Sequence, residues 1–221
     1  MIKEIFKNLL KKKGYKLFPS STIAMDLRQI NNLIYYGKLY SQIKNIPGNI
    51  VECGVGRGRS FLYLSSLAFF ENNKRNLFGF DSFEGFPEPK KEDNSVRNPK
   101  KGEWSGTSTM DILNALKTAG LSEEYLKNQI HLIKGFFDKT LSSYSSGPIA
   151  LLHIDADLYD SYKCALETLY PKVSKGGLVL FDEYGTEEWP GATKAVNDFF
   201  GEKSKNIKYD SIVKKYYYIK E

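Results

Sequence analysis

The sequence predicts an α/β fold: a mostly parallel seven-stranded sheet, helices on both faces, and a C-terminal antiparallel hairpin. Three observations carry this. Between about residue 50 and residue 200, short apolar runs alternate with helix-length segments, the pattern of strands covered on both faces. The first run leads through Glu52-Cys53-Gly54-Val55-Gly56-Arg57-Gly58 into an apolar helix from Phe61 to Phe70, a glycine turn that lets backbone approach a ligand beside a helix N-terminus. The last two runs, Lys208 to Val213 and Tyr216 to Lys220, have almost no chain between them, and only an antiparallel hairpin fits so short a link.

Taken in order, Ile2, Ile5, Phe6, Leu9 and Leu10 recur at helical spacing among lysines, and Gly14 ends that basic amphipathic helix. A second helix is expected from about Met25 to Lys44, stopping before Pro47-Gly48. Residues 1–46 thus read as a helical region that packs on the core or on a partner subunit, with homo-oligomerisation through it one outcome; residues 47–221 read as the main domain. Its strands are Ile50 to Cys53, Leu77 to Phe80, Ile130 to Lys134, Ile149 to Ile154 and Leu178 to Phe181, with the helix after the first ending near Asn72-Asn73. The second, fourth and fifth stop at Asp81, Asp155 and Asp182. Five parallel strands followed by a hairpin is the plan of the Rossmann-like class I methyltransferases. An insert at 86–109, rich in Pro, Gly, Lys, Glu and Asn and holding Trp104, leaves the sheet just after Asp81; so long a loop inside a compact domain reads as a lid over a site.

Composition narrows the classes. The chain has 221 residues, 41% hydrophobic and 14% aromatic, enough for one domain with a real core. No apolar segment is long enough to span a bilayer, and charge interrupts the first residues too often for a secretory signal. Two cysteines, Cys53 and Cys164, form neither a CxxC pair nor a Cys/His cluster, so a cytoplasmic setting without disulfides or zinc is expected. The net charge of +6 is partly local, in Lys11-Lys12-Lys13 and Lys214-Lys215. It motivates a nucleic-acid methylase or binder as an alternative, for which no target-base motif is seen. A cofactor-binding module without turnover is the other alternative.

In open α/β sheets, ligands sit beyond the carboxyl ends of the strands. There the first strand supplies Glu52, Gly54 and Gly56, the second supplies Asp81 and Ser82, the first helix supplies Ser60, and the third strand leads into Gly135 and Phe136. A carboxylate for ribose hydroxyls, a hydroxyl for a carboxylate and an aromatic for adenine together suit S-adenosylmethionine. The dinucleotide fingerprint fails, because Arg59 stands where its third glycine belongs; a Tyr159/Lys163 pair of reductase type does not rescue it. No GxxxxGK[ST] loop is present.

Asp155 and Asp157 close the fourth strand, and Asp182 and Glu183 close the fifth. On adjacent strands these carboxylates meet, and their repulsion calls for a cation or protons. An all-oxygen set suits Mg²⁺, with Asp155, Asp182 and Glu183 as ligands. A general base must take the acceptor proton. Asp157 is the leading candidate, ahead of Glu103; His131 and His153 lie within strands and read as packed structural residues.

Several runs together resemble the macrocin O-methyltransferase family, metal-dependent sugar-methylating enzymes, from about Pro47 to Phe200. They are Val51-Glu52-Cys53-Gly54-Val55, Phe80-Asp81-Ser82-Phe83-Glu84-Gly85-Phe86-Pro87, Gly135-Phe136-Phe137-Asp138-Lys139-Thr140, His153-Ile154-Asp155-Ala156-Asp157-Leu158-Tyr159, Gly176 to Gly185, and Pro190-Gly191-Ala192-Thr193-Lys194-Ala195-Val196. The resemblance implies S-adenosylmethionine at Glu52, Gly54, Ser60 and Asp81, Mg²⁺ at Asp155, Asp182 and Glu183, and a hydroxyl of a sugar or glycosylated small molecule as acceptor. Catechol O-methyltransferases look similar in the glycine loop and metal acids, but Leu158 stands where they carry a base lysine. Two positions depart from the family pattern. Glu183 stands where a second Asp is usual, and residues 84 to 110 lack the base histidine that macrolide-sugar members carry there.

Overall fold

The computed structural model describes residues 26–71 and 75–221. The amphipathic helix expected in residues 1–14, any oligomer contact through it, and the helix end near Asn72-Asn73 lie outside the described residues.

Helix α1 (Leu27–Gln42) starts at a reciprocal cap: Asp26 accepts from the Gln29 amide, and the Gln29 side chain accepts from the Asp26 amide, each at 2.8 Å. Strand β1 (Asn49–Cys53) then leads into α2 (Arg59–Phe70), and β2 (Leu77–Asp81) into the insert. After the insert come α3 (Thr109–Thr118), α4 (Glu123–Gln129), β3 (Ile130–Lys134) and the short α5 (Phe137–Thr140). Strand β4 (Ile149–Ile154), α6 (Tyr159–Leu169), β5 (Val173–Phe181), α7 (Pro190–Phe200), β6 (Lys208–Asp210) and β7 (Lys215–Ile219) complete the chain. Ser108 and Ser122 cap α3 and α4 by accepting amide protons, and Pro190 supplies a preset first turn to α7.

The seven strands lie in the order β3-β2-β1-β4-β5-β7-β6. The first five are parallel; β7 runs antiparallel to β5, and β6 to β7. The order reverses between β1 and β4, which opens a crevice at their carboxyl ends. Alternate residues of the central strands feed opposite faces. Val51, Cys53, Leu152, Ile154, Val179 and Phe181 pack against α6 and α7, whereas Ile50, Leu151, Leu178 and Leu180 pack against α1 to α4. Helix α1 buries Tyr35, Tyr36, Leu39 and Tyr40 in the second of these layers. Burying one such large side chain is worth about 1.5–3 kcal/mol, which fixes α1 to the sheet and sets its tyrosines beside the crevice.

The insert is folded, not a free flap. Phe86 and residues 102–103 exchange backbone hydrogen bonds of 3.0 and 3.1 Å. Asp93 accepts from the amides of Lys90 (2.8 Å) and Tyr159 (2.7 Å), so a side chain of the insert caps the first turn of α6. The Arg97 guanidinium lies over both Trp104 and Trp189, 5.1 and 4.9 Å from their rings, and pairs with Glu103 at 2.8 Å. Among the described residues no helix is long and apolar enough to cross a membrane.

Candidate active site

A cavity of about 1150 Å³ opens at the carboxyl ends of the strands. Its floor is made where β1 meets β4. Gly54 has φ +90°, and a Cβ there would lie 1.7 Å from the Asp155 carbonyl oxygen. Gly54 is therefore required by strand-to-strand contact. Gly56, with φ +53° and open space around it, lines the cavity instead. Gly58 forms the N-cap of α2 in the left-handed region and offers no capping side chain, so the first amides of the helix are left for a ligand.

Asp81 ends β2 and lines the cavity. Its Oδ2 accepts from the Gly56 amide (2.7 Å) and its Oδ1 from the Phe83 amide (2.6 Å). The carboxylate thus locks the glycine turn and keeps further acceptor capacity on each oxygen. Ser82 is a turn former that donates to the Gly85 carbonyl at 2.8 Å. Phe136 lines the cavity at the start of α5. Glu52 and Gly135 stand behind the wall. Glu52 is fully buried; its Oε1 accepts from the Ser60 hydroxyl and lies 3.3 Å from His153 Nδ1, and its Oε2 is an unpartnered buried atom. The Ser60 hydroxyl, expected to face a ligand, is thereby committed to Glu52, although the residue borders the cavity.

The acids converge beside this pocket. Asp155, Asp157 and Asp182 line the cavity. Ligand atoms of Asp155, Asp157 and Glu183 fall within 4.8 Å of one another, and so do those of His153, Asp155 and Asp182. Glu183 is set deeper: its Oε2 lies 2.7 Å from the Tyr162 hydroxyl and accepts from the Asp157 amide at 3.4 Å. Asp157 holds a left-handed backbone, φ +60°, a strained state for a residue that carries a Cβ. The carboxylates of Asp155 and Asp157 accept no hydrogen bond from the described residues.

Crowding sets their proton affinities. Burial, then Asp182, push Asp155 up to about 7. Burial and the neighbouring acids also push Asp157 and Glu183 well above the usual range. Burial acts the same way on Asp182, but His153 and Lys215 outweigh it and hold that carboxyl well below the usual range. Burial opposes charge on His153, yet Asp182 and Glu52 prevail and raise it to about 10. His153 stands as a basic side chain between the carboxylates of Glu52 and Asp182. The sequence reads His153 as a packed structural residue; it is buried in β4, and it also lies between two carboxylates. The signal was available, because β4 aligns His153 with Glu52 on β1. Tyr36 of α1, whose hydroxyl lies 3.4 Å from His153 Nε2, and Lys215, which contacts Asp182, carried no local motif.

Among known proteins, the model of the macrocin O-methyltransferase (TylF) family matches residues 25–215. The chain belongs to the macrocin O-methyltransferase family. It is 31% identical over 179 residues, 79% of this chain, to the 8-demethyl-8-(2,3-dimethoxy-alpha-L-rhamnosyl)-tetracenomycin-C 4'-O-methyltransferase of Streptomyces olivaceus. It is 30% identical over 145 residues, 63% of this chain, to the demethyldecarbamoylnovobiocin O-methyltransferase of Streptomyces niveus. This family member spans 66% and 54% of those two relatives' lengths. A crystal structure of a calicheamicin methyltransferase superposes with TM-score 0.82 and 25% identity, covering 98% of this chain and 91% of that one. The methyltransferase fold expected from the strand pattern is thus the observed one, down to the antiparallel C-terminal hairpin.

Proposed function

We propose that this macrocin O-methyltransferase-family chain transfers a methyl group from S-adenosylmethionine to a hydroxyl of a sugar or sugar-bearing small molecule, with Mg²⁺ at the acids. The reading rests chiefly on one observation: Gly56 and Asp81 share a single hollow with Asp155, Asp157 and Asp182. The named activities of the relatives support the sugar as acceptor.

The residues fit both groups. The open backbone at Gly56, the uncapped start of α2 and the strand-end Asp81 carboxylate suit an amino-acid nucleoside. Asp155, whose carboxylate has no donor, joins the group of Glu183 and the group of Asp182, and these three oxygen ligands suit a hard cation, with Asp157 beside them free to take a proton. When bound, the cofactor supplies an electrophilic methyl group and Mg²⁺ supplies Lewis-acid polarisation of the acceptor hydroxyl. Asp81 and the glycine turn fix the donor end. Asp155, Asp182 and Glu183 hold the acceptor side. An Asp157 carboxylate oxygen receives the hydroxyl proton, its basicity raised by burial and by its acidic neighbours. The insert excludes water from above, and Trp104, 60% exposed and bordering the cavity, offers a ring face to a sugar. The two free cysteines, Cys53 and Cys164, suit a reducing, cytoplasmic setting.

The test is methyl transfer from S-adenosylmethionine to rhamnose-bearing acceptors, with and without EDTA. Turnover that needs a divalent ion and is abolished by Asp155→Ala, with S-adenosylhomocysteine affinity nearly unchanged, is expected. Full activity of that variant in EDTA would sink the metal assignment.

A further inference from the structure

The acidic hollow contains a cation of its own. The β5–β7 ladder pairs Phe181 with Tyr216, which sets Lys215 opposite Asp182 at the carboxyl end of β5. The Lys215 ammonium contacts Asp182 Oδ2 and donates to the Asp182 carbonyl oxygen at 3.0 Å. The other carboxylate oxygen, Oδ1, lies 3.9 Å from His153 Nε2. Both oxygens of Asp182 therefore face a basic side chain, whereas Asp155 and Asp157, in the same hollow, have no donor among the described residues.

The two basic side chains differ in what they can do. His153 sits inside β4 with its side chain 2% exposed and the Tyr36 ring across its face. It cannot leave. The Lys215 side chain is 24% exposed, opens the last strand, and ends in a flexible four-carbon stem. Burial works against its charge, but Asp182, Glu183 and Asp155 more than restore it. An ammonium and a divalent ion drawn to one carboxylate repel each other, and each weakens the binding of the other by the same factor.

We propose that Lys215 is a tethered counter-ion of the cation site, which holds Asp182 and releases it when a divalent ion binds, and so sets the affinity of the site for that ion. This rests on the divalent-ion reading given above. Its consequence is a moderate, exchangeable metal affinity, tuned from the C-terminal hairpin.

Mn²⁺ is the probe, titrated against the full chain and followed by loss of the free-ion electron paramagnetic resonance signal. Lys215→Met is expected to bind Mn²⁺ about tenfold more tightly than wild type, because a unit charge beside the site has gone. Lys215→Arg keeps the charge and should stay near wild type. On wild-type protein, acetylation of Lys215 by an N-hydroxysuccinimide ester, read by peptide mass spectrometry, should be slow in EDTA and faster in Mg²⁺. Equal Mn²⁺ affinity in wild type and Lys215→Met, or an acetylation rate indifferent to Mg²⁺, overturns the role of Lys215. If Asp155→Ala still abolishes Mn²⁺ binding in that case, the metal reading stands without it. Absence of saturable Mn²⁺ binding by wild type overturns both.

Discussion

The carbonyl oxygen of Asp155 occupies the space that any side chain at Gly54 would need: a Cβ there would lie 1.7 Å from it. The glycine turn after β1 and the strand-end acid of β4 therefore meet through backbone alone. Gly54→Ala must move one strand end or the other, and its φ of +90° adds strain. A loss of roughly 2 kcal/mol or more in stability is expected, together with weakened S-adenosylhomocysteine binding. Thermal unfolding and calorimetric titration check this; a wild-type melting temperature would refute it.

Asp81 joins the ligand wall to the glycine turn through two amide hydrogen bonds. Asp81→Ala removes both, along with the proposed acceptor for ribose hydroxyls. Hydrogen bonds to a charged group are worth about 1.5–3 kcal/mol, so S-adenosylhomocysteine affinity should fall by about tenfold or more. An unchanged dissociation constant would remove Asp81 from the cofactor site.

Trp104 keeps an exposed face while Arg97, Phe86 and Trp189 brace it, with ring centroids of the last two at 5.0 and 5.7 Å. Its φ of +63° is a strained state in a bulky residue. Trp104→Ala should raise the KM for a rhamnoside acceptor by about fivefold, through loss of roughly 1 kcal/mol of ring contact, while cofactor affinity stays put. Saturation curves at saturating cofactor measure it. A fall in kcat alone would place Trp104 elsewhere in the cycle.

Asp210 fastens the terminal hairpin to α1 through Lys38, at 3.0 Å. Burial works to raise its pKa, but Lys38 and the amides of Val213 and Ile212 prevail and lower it. A depressed folded-state pKa gives stability that is present above the ordinary carboxylate range and lost as pH falls through the folded value. Lys38 is largely exposed, so solvent screens the pair and its contribution is small. Urea midpoints of wild type and Asp210→Asn should differ at pH 7 and converge in acid. A gap that persists at low pH would assign the effect to packing.

Much of the sheet was legible because local pattern and tertiary role agree there. Ile130–Lys134 and Ile149–Ile154 are apolar runs whose ends match the observed strands. Strand β5 was read short: it begins at Val173, five residues before Leu178, because Ser174, Lys175, Gly176 and Gly177 carry no strand pattern. The first hairpin strand is expected three residues too long, since Ser211 to Lys214 form the turn, and the second is displaced by one residue from Lys215–Ile219. At the site, strand-end acids announce themselves. The direction of a side chain does not: Ser60 and Glu52 turn towards each other, and a spacing rule cannot see which way they face. Lys215 and Tyr36 come from the far ends of the chain and meet the acids only once the sheet has formed.

Asp93 ties the insert to the start of α6, two residues beyond Asp157. The roof of the pocket is thus fastened by a single carboxylate to the segment that carries Asp157, and the insert cannot lift away without giving up that bond.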